Sequence, residues 1–174
     1  DKFVDNEYCR KTYIGKDQSG EYSVYSYTFE PQHYSKTLLL TSCIHGNEYS
    51  AFYANSRFLD LVVNKWHTDP HLAYIRKNVR IVCVPIVNPH GFANDNRENS
   101  NNVDLNRNFD YNWKAGKGTD PTGKNFKGRA PFSEQESKNM KKLVEGLNHI
   151  TAHVDCHNIV SQVSDYCLFY PRFS

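Results

Sequence analysis

Runs of apolar residues and alternating patterns predict where the strands lie. Glu21 to Phe29 alternates aromatic and small polar residues, which is typical of a strand at or near a sheet edge. Three apolar runs predict buried strands: Lys36 to Cys43, Val79 to Val87 and Ile150 to Ile159. A fourth buried strand is expected over Tyr166 to Tyr170.

Apolar residues at helical spacing predict two helices. The first covers Glu48 to Asn64. The second covers Ser133 to Leu147, and its opening, Ser133-Glu134-Gln135-Glu136, has a Ser and a Glu three apart, as in a capping box. Trp66 to Ile75 indicates a loop with a short helical piece. Asn94 to Lys127 is rich in Asn, Asp, Gly and Lys, and so long an irregular stretch is usually functional.

Strands that alternate with helices indicate an α/β fold, with a mixed, largely parallel sheet and helices on both faces. Residues 1–20 are polar and contain Gly15 and Gly20, so residues 1–35 are expected to form a leader loop and an edge strand. No repeat or internal boundary is visible, and residues 1–174 are expected to form a single domain. Because the first residue is Asp rather than Met, we expect a processed form or a piece of a longer protein.

The composition limits the partners. Of the 174 residues, 39% are hydrophobic and 14% are aromatic, which is enough for a folded core. The formal net charge of +2 is too small to indicate a nucleic acid or a membrane surface. Five cysteines, an odd number without a CxxC pair, argue against a disulfide framework. We therefore expect a folded protein with no nucleic-acid and no membrane partner.

Candidate metal ligands stand at strand ends. His45 and Glu48 follow the strand that ends at Cys43, and His157 lies near the end of the Ile150 to Ile159 strand. If these strands are neighbours, the three side chains meet at one edge of the sheet, where α/β proteins bind ligands. Two His and one Glu are the ligands of a catalytic zinc that keeps one position open. The alternative is a helix N-terminus with a favourable Glu and a surface His.

Other residues near His157 leave alternatives open. His153 lies four residues before it, but on a strand the two rings would be about 13 Å apart and could not share an ion. Asp155 shares a face with His157 and is either a contact of the site or a hydrogen-bonded carboxylate at the strand end. A site that uses Cys43 and Cys156 with the histidines is less favoured, because core packing explains both cysteines.

The stretch from Arg97 to Asp110 carries further polar chemistry. Arg97 and Arg107 can hold a carboxylate bidentately or stabilise an oxyanion. Asp104 can accept the free ring N–H of a metal-bound histidine. The alternative is a solvated loop in which the arginines pair with nearby acidic groups.

Together these segments resemble the zinc carboxypeptidases of the carboxypeptidase A type, in order and in sequence. The resemblance runs from about residue 36 to the end of the chain. The segments are His45-Gly46-Asn47-Glu48, Asn88-Pro89-His90-Gly91-Phe92, Arg97-Glu98-Asn99, Val103-Asp104-Leu105-Asn106-Arg107-Asn108-Phe109 and Cys156-His157-Asn158.

The resemblance implies a zinc carboxypeptidase-like α/β/α sandwich and one zinc ion per chain. The implied ligands are His45, Glu48 and His157. The implied reaction is hydrolysis of a C-terminal peptide bond by zinc-activated water. The implied substrate is a peptide, or a cell-wall peptide, with a free C-terminal carboxylate.

The resemblance also implies roles for four residues of the polar loop. Arg97 would polarise the scissile carbonyl and stabilise the oxyanion. Asn106 and Arg107 would hold the substrate's C-terminal carboxylate, and Asp104 would orient His45.

Some features of the family have no match here. The family's general-base Glu and its specificity pocket lie downstream of the third zinc ligand, and no residue of this chain matches them. The sequence therefore resembles the N-terminal part of a catalytic domain. Asn47, Asn158 and Ile159 replace an Arg, a Ser and a Tyr of the digestive enzymes. These changes favour bacterial and phage-associated branches, and an extracellular, virion or cell-wall location over the cytoplasm.

Two other functions fit part of the pattern. Aspartoacylase-like and desuccinylase-like deacylases share an HGNE-type ligand pair and a DLNR segment and cleave N-acyl amino acids. The NPxG turn and the NFDYNW continuation favour the carboxypeptidases over them. A non-catalytic binding or structural module in a larger assembly would explain the missing general base.

Overall fold

The computed structural model describes residue 3 and residues 6–158. Within this part, five strands form one sheet in the order β1-β2-β4-β3-β5. The strands are β1 (Cys9–Lys16), β2 (Ser23–Phe29), β3 (Lys36–Ser42), β4 (Val79–Val84) and β5 (Ile150–Cys156). The strand predicted over Tyr166 to Tyr170 lies outside the described residues.

The sheet is mixed, and its parallel part carries the strand ends of interest. β3 pairs in parallel with β4 on one side and with β5 on the other. β2 pairs antiparallel with β4 and with β1. Because β3, β4 and β5 run in the same direction, their carboxyl ends meet at one edge of the sheet. This confirms the arrangement on which the predicted metal site depends.

Helices cover both faces of the sheet, as predicted. The helices are α1 (Tyr49–Asn64), α2 (Pro70–Asn78), α3 (Pro89–Ala93) and α4 (Gln135–Glu145). On one face, Leu59 and Val62 of α1 pack in a buried cluster with Ile81 of β4. On the other face, Met140 of α4 packs with Val84 of β4. The two clusters use alternate residues of β4, because successive side chains of a strand point to opposite faces.

The N-terminal stretch differs from the predicted loop. Cys9–Lys16 forms β1, which is the edge strand, and β2 lies one position further in. Gly15 marks an irregular register after Tyr13 and not a break in the chain. Mixed polar composition concealed this strand, since an edge strand with little burial does not need alternating apolar residues.

The starts of two helices were predicted with different success. α4 begins at Gln135 with Glu134 as the N-cap, and its Ser133 hydroxyl donates to Glu134 Oε1. The predicted capping box is therefore wrong. The short helical piece predicted within Trp66 to Ile75 is α2, which begins at Pro70: the Asp69 carboxylate accepts from two backbone N–H groups of the first turn. Asp at the N-cap and Pro at the first helical position favour that start.

β5 is a strand as predicted, but it is not buried. Val154 is 46% exposed. Within the described residues β5 stands at one end of the sheet and pairs only with β3. Among the same residues, no helix combines the length and the apolar character needed to cross a membrane.

Candidate metal centre

The turn after β3 is fixed by close backbone packing. Cys43 adopts a left-handed conformation with φ of 50°, and the backbone N–H of Asn88 donates to its carbonyl oxygen at 3.0 Å. A Cβ atom on Gly46 would overlap the backbone of Gly91. Only glycine therefore allows the turn to approach α3 this closely. His45 and Glu48 sit on either side of this glycine contact and are both buried.

The structure brings the three predicted ligands together. His45 Nδ1 lies 2.8 Å from Glu48 Oε1, and His157 Nδ1 lies 2.9 Å from Glu48 Oε2. One donor atom from each residue falls within 4.8 Å of the others. The two imidazole rings are 5.0 Å apart between centroids. One carboxylate and two ring nitrogens therefore converge on one point at the sheet edge.

The far nitrogen of each imidazole meets a second carboxylate. His45 Nε2 lies 3.2 Å from Asp104 Oδ1, and His157 Nε2 lies 2.8 Å from Asp155 Oδ2. A carboxylate at Nε2 holds a proton there, so a ring that gives up its Nδ1 proton presents the Nδ1 lone pair to a metal ion. Both Nδ1 atoms face Glu48, so the donor set is oriented toward a shared cation.

The electrostatics of the cluster reflect these contacts. Burial opposes ionisation of Glu48, but hydrogen bonds from His157 and His45 outweigh it and lower the pKa of Glu48 to about 2. Hydrogen bonds to Asp155 and Glu48 raise the pKa of His157 to about 10. Burial opposes the charge on Asp104, but the hydrogen bond from His45 and the charges of His45 and Arg97 lower its pKa. The carboxylates are thus held ionised, the form that binds a cation.

The donor chemistry fits zinc. Two imidazole nitrogens and one carboxylate match a catalytic zinc site with a free position, whereas a structural site would have four closed ligands. The Cys43 thiol points to the Glu48 carbonyl oxygen, and burial raises its pKa to about 12. Cys156 contacts Asn55 Oδ1. Neither cysteine belongs to the group of converging ligand atoms, which His45, Glu48 and His157 supply, so neither supports the alternative Cys-ligated site.

Arg97 lies beside the ligand cluster. Its guanidinium donates to Asp104 Oδ2 at 2.9 Å and lies 3.7 Å from Glu48 Oε1. Its side chain is 36% exposed, so the cation borders the site and also faces outward. The Arg97 carbonyl oxygen accepts from the backbone N–H of Gly46, which ties this loop to the ligand turn.

Asn106 and Arg107 lie on a short 3-10 turn, Leu105–Arg107, that Asp104 caps. The backbone N–H of Asn106 donates to Asp104 Oδ1, the oxygen that also meets His45. Both side chains line a cavity of about 750 Å³ beside the sheet edge. Its wall is largely apolar and includes Ile44 from the ligand turn.

The long polar loop is anchored from within the protein. The Asn99 side-chain amide donates to Glu134 Oε2 at 2.9 Å and to Glu136 Oε2 at 3.2 Å. The Asn108 amide donates to the Lys127 carbonyl oxygen. All five residues are buried. These hydrogen bonds were not predicted. They join groups more than 15 residues apart in sequence, and no local pattern shows that such groups are in contact.

Comparisons with known proteins agree with the resemblance and with the fold. A family model described as zinc carboxypeptidase matches residues 13–171. The chain is 25% identical over 147 residues to "Inactive metallocarboxypeptidase ecm14" of Sclerotinia sclerotiorum, covering 74% of this chain and 25% of that protein. It is 25% identical over 130 residues to Carboxypeptidase A1 of Rattus norvegicus, covering 66% of this chain and 31% of that protein.

A solved structure supports the fold. The carboxypeptidase A of Helicoverpa armigera superposes with a TM-score of 0.77 at 22% identity, covering 91% of this chain and 42% of that chain. The sequence thus spans about a quarter to a third of the length of these two relatives, and less than half of the insect structure.

Proposed function

The chain belongs to the zinc carboxypeptidase family, and from that premise we propose that residues 1–174 form the N-terminal part of one catalytic domain of a metallocarboxypeptidase. The whole protein would hydrolyse the C-terminal peptide bond of a peptide substrate. The observation that carries this proposal is the convergence of one ligand atom each from His45, Glu48 and His157 within 4.8 Å of one another.

We assign the metal ligands to His45, Glu48 and His157. Zinc held by them would supply a Lewis acid that lowers the pKa of a coordinated water. Asp104 holds the ring of His45 from its far side, and the short contact between them supports an orienting role. Glu48 contacts both imidazoles, so its carboxylate is the centre of the proposed ligand set.

Arg97 is the proposed electrostatic catalyst. Its guanidinium sits 3.7 Å from Glu48 Oε1, so a carbonyl oxygen that becomes negative near the ligand cluster would meet a fixed positive charge. Asp104 holds this guanidinium in place through a 2.9 Å hydrogen bond. The same buried carboxylate therefore supports both the ligand His45 and the catalytic Arg97.

Asn106 and Arg107 are the proposed receptors for the substrate's C-terminal carboxylate. Both line the cavity that opens beside the sheet edge, and the guanidinium of Arg107 can bind a carboxylate with two parallel hydrogen bonds. A cell-wall peptide with a free carboxylate would present the same group, so the proposed substrates include such peptides. The proposed location is extracellular or at the cell wall. The general base is expected in the rest of the protein.

A second function has support in one relative. The fungal protein is named an inactive metallocarboxypeptidase, so membership of the family alone does not carry activity. A domain that binds zinc and peptide without cleaving it is the corresponding alternative. The rat and insect proteins reported above are named carboxypeptidases, which favours peptide cleavage over N-acyl amino acid deacylation.

The test uses the full-length protein that contains this chain. We expect about one zinc per chain and release of the last residue from a peptide with a free carboxylate, but not from the same peptide amidated at its C-terminus. His45→Ala should lower zinc affinity more than about 100-fold, since even outer partners of a ligand contribute about 10-fold to 100-fold. Asn47→Ala, at the exposed position between the ligands, is the matched control and should bind zinc normally.

Each outcome separates the alternatives. Zinc without release of any residue would favour the binding module. Cleavage of N-acyl amino acids but not of peptides would favour the deacylase. A full-length protein that binds no zinc would overturn the proposed metal site.

A further inference from the structure

A chain of hydrogen bonds leads from the cavity to a proposed zinc ligand. His153 Nε2 lies 2.9 Å from Thr41 Oγ1, and the Thr41 hydroxyl donates to Asp155 Oδ1 at 2.6 Å. Asp155 Oδ2 lies 2.8 Å from His157 Nε2. The Nδ1 atom of that same ring faces Glu48. Thr41, His153 and Asp155 are among the residues that line the cavity, so the chain of hydrogen bonds begins at the cavity wall.

The hydrogen bonds of this series can run in only one direction, from donor to acceptor. A carboxylate accepts hydrogen bonds and a hydroxyl has a single hydrogen, so Thr41 gives its hydrogen to Asp155 and accepts one from His153. The other oxygen of Asp155 then accepts from His157 Nε2–H. With its proton placed on Nε2, a neutral His157 presents the Nδ1 lone pair toward the ligand cluster.

The sheet fixes the backbone of Thr41, His153 and Asp155. Thr41 of β3 stands opposite Asp155 of β5 in the parallel register. His153 and Asp155 are two residues apart on one strand and therefore share a face. His157 follows directly after the strand ends. The hydrogen-bond chain thus rests on strand pairing and not on a flexible loop.

We propose that Asp155 is the positioning residue of His157, held in its orientation by Thr41. This inference rests on the proposed zinc site and adds to it the group that aligns the third ligand. His157 is the ligand that most needs such support, because its side chain is 28% exposed and the strand before it is largely exposed. Without Asp155, the ring would be free to turn its Nδ1 atom away from Glu48.

The test measures zinc affinity and metal geometry in the full-length protein, by competition with a chelator and by the visible absorption of the cobalt-substituted form. Asp155→Asn should lower zinc affinity about 10-fold to 100-fold and alter the cobalt spectrum. Thr41→Val, which removes only the hydroxyl, should lower the affinity less than about 10-fold, since it acts one step further from the metal. Thr41→Ser keeps the hydroxyl and should restore wild-type affinity and spectrum.

A merely structural role predicts something else. It would lower the stability of the metal-free Asp155→Asn protein while zinc affinity and the cobalt spectrum stay unchanged, and that result would overturn the proposal. Equal effects of Thr41→Val and Thr41→Ser would remove Thr41 from it. If the wild-type protein binds no zinc, the proposed site fails first and takes this inference with it. The wild-type measurement therefore distinguishes the two failures.

Discussion

The two histidines of the site have similar partners in very different surroundings. His45 is buried, and its partner Asp104 is fully buried and also accepts hydrogen bonds from Arg97 and from the backbone of Asn106. The side chain of His157 is 28% exposed, and that of its partner Asp155 is 25% exposed. One half of the site is thus part of the protein interior, and the other stands at the edge of the described sheet.

This difference in burial separates two effects of a carboxylate that usually occur together, one on protein stability and one on metal binding. In the buried half, the carboxylate that orients a ligand also satisfies groups that the fold has removed from water, so its loss should destabilise the protein. In the exposed half, solvent can replace part of the lost contact, so its loss should mainly affect metal binding. The predictions that follow test this contrast, from the largest expected effect to the smallest.

Gly46→Ala should strongly destabilise the fold around the buried half of the site. The new Cβ atom would overlap the backbone of Gly91, which cannot yield as a flexible side chain does. We expect a loss of more than about 4 kcal/mol in the free energy of unfolding, measured by urea denaturation of the metal-free protein. Gly146→Ala is the control, since its Cβ would lie 3.4 Å from the nearest atom, Lys142 O. A Gly46→Ala loss no larger than the control would show that the turn is not tightly packed.

Asp104→Asn should be more destabilising than Asp155→Asn. Asparagine has one carbonyl oxygen in place of two carboxylate oxygens, so Asp104→Asn leaves His45 or Arg97 without its acceptor, and we expect a cost of about 3 kcal/mol. The same change at Asp155, whose side chain is partly exposed, should cost about 1 kcal/mol. Urea denaturation of both metal-free variants makes the comparison. Equal costs would contradict the contrast between the two halves.

Glu136, which helps to anchor the long polar loop, should make the free energy of unfolding depend on pH. Burial raises the pKa of Glu136, because hydrogen bonds from Gln18 and Asn99 do not fully compensate for the lost water. The folded state therefore holds this proton more tightly than the unfolded state. Its contribution is most favourable below the unfolded pKa and is lost as the pH rises through the raised folded value.

The measurement compares wild type with Glu136→Gln between about pH 4 and about pH 8, within the range where such carboxyl groups titrate. The stability of wild type relative to the variant should fall as the pH rises. Glu48, Asp104 and Asp155 are present in both proteins, so their opposite pH dependence cancels in the difference. A relative stability that rises with pH would mean that Glu136 is stabilised as an anion.

Val154→Thr should have the smallest effect. Val154 of β5 is 46% exposed, whereas Val84 of β4 is fully buried. We expect a change within about 0.5 kcal/mol at Val154 and a loss of about 1 to 3 kcal/mol at Val84, where the new hydroxyl would lack water. Thermal unfolding of the two variants in the full-length protein makes the comparison. A loss at Val154 as large as that at Val84 would show that β5 is covered in the whole protein.

The approach of His45, Glu48 and His157 could be predicted from the sequence because it depends only on strand direction. His45, Glu48 and His157 follow apolar strands, and parallel neighbours place their ends at one edge. Burial could not be predicted in the same way. The apolar residues of β5 resemble those of β4, but exposure depends on which segments lie beside a strand and not on its own residues.

Partners that are distant in sequence were also beyond prediction. The capping box failed because Glu136 bonds to Gln18, 118 residues away, instead of to Ser133. Asp155 stood out in the sequence as a polar residue at a strand end, but its use of Thr41 depends on the register of β3 and β5. Local patterns indicated which residues carry chemistry. Only the pairing of strands showed how they contact one another.

The spacing of the proposed zinc ligands along the chain has a consequence for folding. Glu48 lies three residues from His45 and 109 residues from His157. The first pair can meet as soon as one turn forms, but the third ligand arrives only after a long segment has closed and β3 has paired with β5, at a cost in chain entropy. A zinc ion should therefore bind tightly only late in folding, and it would lock the pairing of β3 with β5 once that pairing has formed.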